Sequence, residues 1–209
     1  MAAYSLNSQA TLINCTVANN TSVGGYKAIW VTKITNDATA AIALKNTIVA
    51  NNPGGDFLKV DDPDNPLYIS TIQSLGNNLD SDGSSGFING INGDLVNVDP
   101  LFVSSTNYQL QACSPAINAG DAATTSATVG LVDFAGNSRF YANSRVDMGA
   151  YEYQGSLPTA ISPTVGTSHP TTCGGTDGSI RLGGFLNTTT YSVTYKKNNV
   201  SVPAANFTS

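Results

Sequence analysis

Leu12-Ile13-Asn14-Cys15-Thr16-Val17-Ala18-Asn19-Asn20 and Leu44-Lys45-Asn46-Thr47-Ile48-Val49-Ala50-Asn51-Asn52 are two copies of one pattern, 32 residues apart. Leu, Asn, Ala, Asn and Asn recur in place with β-branched residues between them. The offset lies in the range of about 20–50 residues where self-similarity marks a stacked repeat fold. A degraded third copy, Ser74-Leu75-Gly76-Asn77-Asn78, puts Leu75 to Asn78 26 residues after Val49 to Asn52. Unequal offsets predict a solenoid of β-strands with loops of differing length on one face.

Stacking explains the pattern. In a parallel β-helix, coils lie about 4.8 Å apart and equivalent residues stand above one another, so the aliphatic positions fill a continuous interior. Asn tolerates left-handed backbone angles at a turn, and its amide can pass hydrogen bonds from coil to coil. Asn14 and Asn46 are therefore expected at equivalent positions, as are Asn19 and Asn51, with Asn77 extending the second column and Asn20, Asn52 and Asn78 forming another. The plainer alternative is that Asn-Asn pairs only mark exposed turns. A match running over the whole nine-residue block favours the ladder.

Composition bounds the rest. At 209 residues the chain can bury a core in one or two domains. Only 11% of it is charged, against about 25% in ordinary soluble domains. A net charge of -5 with nine Lys and Arg supplies no basic stripe, which disfavours nucleic acid and anionic membrane surfaces. No segment has the ~20 apolar residues of a membrane span. The start, Met1-Ala2-Ala3-Tyr4, lacks the charged and apolar regions of a signal peptide. With the first repeat so near the start there is no N-terminal cap, so a fragment of a longer secreted chain is expected. Cys15, Cys113 and Cys173 are too few and scattered for a disulfide scaffold or zinc site. Cys15 stands where the second copy has Thr47 and reads as a small buried filler.

The chain reads in parts. Residues 1–98 carry the repeats, and 99–154 change character. In 155–170, Pro158, Pro163 and Pro170 mark a linker or an edge strand. Residues 171–209 form a further β-rich stretch.

The string Val98-Asp99-Pro100-Leu101-Phe102, Tyr108-Gln109-Leu110, Ser114 to Asp121, Asp133, Gly136-Asn137, Arg139 and Val146 to Tyr153 resembles the closing region of secreted bacterial right-handed parallel β-helix proteins. These are the surface-anchored members of the pectate-lyase-like superfamily. The resemblance implies an all-β fold: the final coils and C-terminal cap of such a helix over 1–154. It also implies a place outside the cell or on its surface. Thr172 to Leu182 with Tyr191-Ser192-Val193-Thr194-Tyr195 is similar to the Ig-like repeats of large adhesins and type IX secretion substrates of Bacteroidota. That implies a truncated Ig-like domain over 171–209. A surface glycan or the secretion and anchoring machinery are the partners such proteins imply.

β-Helices of this superfamily also include polysaccharide lyases, which use Asp-bound calcium and a basic residue, and inverting glycosidases, whose carboxylates stand about 6.5–9.5 Å apart. A catalytic groove would repeat Asp on successive coils. The aligned copies carry Asn, Thr and aliphatic residues instead. Asp61-Asp62-Pro63-Asp64 reads as a solvated turn, with calcium as the alternative. Asp80-Ser81-Asp82-Gly83 begins like an oxygen-rich cation loop but lacks the later bidentate Glu. Asp61, Asp62, Asp80 and Asp82 are the metal candidates, and no other cofactor is indicated. The single histidine, His169, lies in the Pro-rich stretch, which removes Ser/His/Asp and Cys/His systems.

The expected function is a structural or adhesive segment of a secreted surface protein, non-catalytic in this stretch. The alternatives are part of a lyase or glycosidase whose site lies elsewhere, and a calcium-dependent carbohydrate-binding module. Asn14, Asn46, Asn19, Asn51 and Asn77 are expected to hold the coils. Asp133, Arg139, Arg145 and Asp147 are expected in a cap over the open end of the stack, plugged by Phe102, Ile117, Phe134 and Tyr151.

Overall fold

A computed structural model describes residues 8–22, 24, 26–32, 39–60, 70–143, 145–156, 164–172, 177, 179–183, 190–197 and 200–208. The chain divides into two units, Met1–Leu157 and Pro158–Ser209. In the first, short strands follow one another as β-helix-like coils. One coil is β1 (Ser8–Ile13), β2 (Thr16–Ala18) and β3 (Ile29–Thr32), and the next is β4 (Ala40–Lys45), β5 (Ile48–Ala50) and β6 (Phe57–Val60). β7 (Ser70–Ser74) and β8 (Leu79–Asp80) begin a third, and β9 (Leu95–Val96) belongs to a fourth. Equivalent strands pair in parallel, giving sheets β1-β4-β7, β2-β5-β8-β9 and β3-β6. Leu12 lies against Leu44 and Val17 against Val49, the register the repeat predicts.

The turns explain why Asn recurs. Asn14, Asn46 and Asn77 sit at φ 47°, 50° and 58° between the first and second sheets, and Asn19 and Asn51 at 52° and 57° where the chain leaves the second. The left-handed region costs most L-residues about 1–2 kcal/mol and Asn less. Asn14 and Asn46 are equivalent, and the Asn46 amide donates to the Asn14 Oδ1 at 3.0 Å. The third copy corrects the expected columns. Ile48 pairs with Leu79, so Asn77 continues Asn14 and Asn46 rather than Asn19 and Asn51. Asn78 likewise continues Cys15 and Thr47. The two corners of a coil use the same residue type, so matching residues alone aligned the wrong pair.

Beside the Asn corners runs a ladder of side chain and backbone. The Cys15 N–H donates to Thr47 Oγ1 at 3.3 Å, the Thr47 N–H to Asn78 Oδ1 at 3.1 Å, and the Asn78 N–H to Asp94 Oδ1 at 2.8 Å. Each coil's corner N–H is thus satisfied by the next coil's side chain.

Alternation along the strands makes two cores. Leu44, Ile42, Val49, Ile29, Val31 and Phe57 face inward and fill the coils. Ile48, Ala50 and Leu79 face outward, where Phe102, Leu110, Ala116 and Met148 cover them. All three residues of β5 are therefore buried.

Residues 99–154 accordingly lie along the side of the stack, against the outer face of β2-β5-β8-β9, rather than over its end. The Gly149 N–H donates to the Asn46 carbonyl at 2.7 Å, the Ala150 N–H to Thr16 Oγ1 at 2.9 Å, and the Asp121 N–H to Asn46 Oδ1 at 2.8 Å. Gly149, at φ 95°, runs so close that a Cβ there would stand 2.7 Å from Thr16 Oγ1. The expected plugs are corrected with it. Phe102 and Ile117 pack on the sheet's outer face, and Phe134 is 78% exposed, its ring edge-on to Tyr151. Phe87 joins the interior instead, its ring 6.2 Å from that of Phe57.

In the second unit β10 (Thr164–Ser168) pairs antiparallel with β11 (Ser179–Gly183), and β12 (Thr190–Lys197) with β13 (Val200–Thr208). β10 falls within the Pro-rich stretch, of which Pro158 and Pro163 lie outside the described residues.

Asn46 is fully buried at a left-handed corner and serves both neighbours. Asn46→Ala should cost roughly 2–4 kcal/mol, from backbone strain and an orphaned N–H. Urea unfolding should show a lower midpoint at unchanged slope. Asn46→Gly, which keeps the backbone angle, should cost less.

Candidate functional site

Among the described residues of the first unit, carboxylates gather at two places. Asp56 lies in the turn before β6, Asp80 on β8 and Asp82 in the turn after it, with one oxygen of each within 4.8 Å of the others. Asp80 occupies the inward position that Val17 and Val49 hold in the coils above. Its Oδ1 accepts the N–H groups of Asp82 and Gly83, and its Oδ2 that of Ser85. Burial still pushes its carboxyl up.

Asp56 accepts from the Asn52 amide and from the Ser81 N–H and hydroxyl. Asp82 accepts from the Asp56 N–H and from the Ser84 N–H and hydroxyl. Three close carboxylates are the ligand type a hard divalent cation takes. Every one of these oxygens already serves a turn or the next coil. Of the expected metal candidates the structure brings together Asp80 and Asp82 and adds Asp56. Asp61 and Asp62 lie outside the described residues. Asp56 was not visible in the sequence, because only strand register places a residue of one coil beside the turn of the next.

The second place is in the side-lying segment. Arg139 is buried, and its guanidinium meets Glu152 Oε1 at 3.2 Å and the carbonyls of Gly149 and Ala150. Asp133 accepts the N–H groups of Ala135, Asn137 and Glu152. Asp147 accepts those of Asn118 at 2.7 Å and Tyr153 at 2.6 Å, and Glu152 accepts that of Asp147 at 2.9 Å. Asp133, Arg139 and Asp147 thus come together with Glu152. Arg145 stands apart and exposed, donating to the Gly120 carbonyl.

Three carboxylates are buried here, and the buried Arg139 guanidinium pairs with one of them, Glu152. Burial pushes the Asp147 carboxyl up to about 6. Burial, with the Asp147 carboxylate beside it, pushes Glu152 up to about 8.

The outer face of β1-β4-β7 offers the rows Gln9, Ala41, Thr71 and Thr11, Ala43, Gln73. Among the described residues, no carboxylate stands in these rows. Cys15 is half-buried, its thiol pushed up by burial and donating to the Ile13 carbonyl, while Cys173 lies outside the described residues. His169 is exposed in the second unit. Among the described residues no helix is long and apolar enough to cross a membrane. No family model matches the chain, and neither a curated protein nor a solved structure matches it.

The raised carboxyls set a pH dependence. Between the ordinary carboxyl values and these raised ones, Asp147 and Glu152 hold protons in the folded chain that the unfolded chain releases. Their contribution to stability is complete below the ordinary carboxyl values, about pH 4, and is lost as pH rises through the folded values. The melting temperature should fall between pH 5 and pH 9, and Glu152→Gln should flatten the upper part of that fall, near the Glu152 value of about 8. A melting temperature that rises across this range would contradict the assignment.

Proposed function

We propose that this chain is a structural or adhesive segment of a secreted, surface-displayed bacterial protein. It comprises the final coils of a right-handed parallel β-helix of the pectate-lyase-like kind, a closing segment, and the start of an Ig-like domain. The observation that carries the reading is the use to which recurring polar residues are put. Asn14, Asn46 and Asn77 hold the side-lying segment, and Thr47, Asn78 and Asp94 hold successive coils. These side chains build the stack. A groove for acid–base work on a polysaccharide needs carboxylates in register on an open face, and the rows of the β1-β4-β7 face carry amides, hydroxyls and alanines. Long stacked folds of this sort serve as rigid spacers and contact surfaces.

The purified chain should release no unsaturated or reducing product from pectin or alginate. Antibodies raised against it should label intact, unpermeabilised cells that make the protein. Depolymerisation abolished by Asp80→Asn would make it an enzyme. Labelling only after permeabilisation would remove the surface reading.

A further inference from the structure

The two sets of Asn corners share a backbone geometry but differ in what their amides do. Those of the first set are consumed: Asn14 donates to the carbonyls of Asp147 and Gly149, Asn46 to Thr124 and Asn14, and Asn77 to the Ala119 carbonyl. At the second set, the Asn51 side-chain amide has no hydrogen bond among the described residues, only its backbone N–H being engaged, with Ser81. The Asn19 amide nitrogen reaches the Ser105 carbonyl, and its Oδ1 accepts nothing among the described residues.

Both asparagines line a cleft of about 320 Å³ that is completed by Asp99, Leu101, Phe102, Ser104, Ser105 and Gln111. Asp99 uses one oxygen to accept the Leu101 N–H at 2.8 Å and leaves the other free. Gln111 donates to the Phe102 carbonyl at 2.7 Å, which leaves its Oε1 free. Leu101 itself is held at φ 53°, a region that bulky L-residues seldom occupy. Residues fixed in such conformations cluster at ligand sites, where surrounding bonds over-determine them.

We propose that this cleft binds a neutral saccharide. Free acceptors on Asn19, Asp99 and Gln111, with the amide of Asn51 able both to donate and to accept, suit a ring of hydroxyl groups. Among the described residues no Lys or Arg lines the cleft, and the Asp99 carboxylate repels uronates and phosphates. Leu101 and Phe102 supply the apolar surface against which the C–H face of a sugar ring rests. The volume is at the lower end of the roughly 300–1,000 Å³ of small-ligand sites, which sets the ligand at one or two sugar units.

The inference deepens the adhesive reading and rests on it only for its biological role. Binding and surface display are measured separately, so a chain that binds sugar but does not reach the surface would keep the site and lose the display.

The test is calorimetric titration of the full chain with lactose, cellobiose, mannobiose and digalacturonate. At least one neutral disaccharide should bind with Kd near 1 mM, as expected of a small open site. Asn51→Gly keeps the left-handed angle and removes an amide that serves nothing inside the chain. It should weaken that binding about five- to tenfold, the worth of one hydrogen bond, while the melting temperature stays unchanged. Asp99→Asn, which can still accept from Leu101, should weaken it comparably. The proposal is overturned if no neutral disaccharide binds more tightly than about 10 mM. It is equally overturned if digalacturonate binds best, or if both variants bind like the parent.

Discussion

A chain that stacks on itself must turn at the same places in every coil, and among the described residues two corners are made by asparagines with positive φ. Asn14, Asn46 and Asn77 hold one corner and Asn19 and Asn51 the other. Once these corners are fixed, strand register follows and the inward residues align. The N–H beside each first corner then meets an oxygen on the next coil. The corners also set the edge against which the side-lying segment docks, since its backbone bonds to Asn14 and Asn46 directly. Packing, polar satisfaction and the placement of residues 99–154 all depend on one backbone geometry repeated.

A second constraint is that the middle sheet is buried on both sides. Its inward residues meet the other sheets, and its outward residues meet Phe102, Leu110 and Met148. A segment that covers a sheet must satisfy its own irregular backbone, because it has no ladder to join. Asp133, Asp147 and Glu152 do this by accepting N–H groups from Asn118, Ala135, Asn137 and Tyr153 and from one another, while Arg139 donates to the carbonyls of Gly149 and Ala150. The acidic surplus is tolerated because burial shifts two of the carboxyls toward their neutral forms. Charge in this region is a means of folding a loop-rich layer.

The repeat made the parallel stacking legible, since a match over nine positions leaves little freedom in register. It did not show which corner Asn77 and Asn78 belonged to. The third copy carries one more residue between Ser74 and Leu79 than the second carries between Leu44 and Ile48, and the two corners look alike in sequence. The later Gly93-Asp94-Leu95 parallels Asn77-Asn78-Leu79 in register, with Gly93 at φ 75° in place of an Asn; Gly in place of Asn hid that relation. Asp133, Arg139 and Asp147 stood out as the charged residues of the closing words. That these words lie beside the stack followed from the double burial of β5, which is hidden until one asks what covers Ile48 and Ala50. The Asp56 cluster and the Asn19 cleft were illegible for a related reason: each joins residues that only the coil register and the path of 99–111 bring together.

The bond from Asn14 to the Asp147 carbonyl spans 133 residues. Solenoids ordinarily fold by local addition, each repeat leaning on its neighbour, and so tolerate being made piecemeal. Here the coil that carries Asn14 is completed by residues 147–149 of the same unit. During synthesis its corner amide and the outer side of β5 remain wet until residues near Gly149 have emerged. Closure of so long a loop costs entropy that no nearby contact repays in advance. The repeat architecture has thereby lost its modularity: the stack and its side-lying segment mature as one kinetic event.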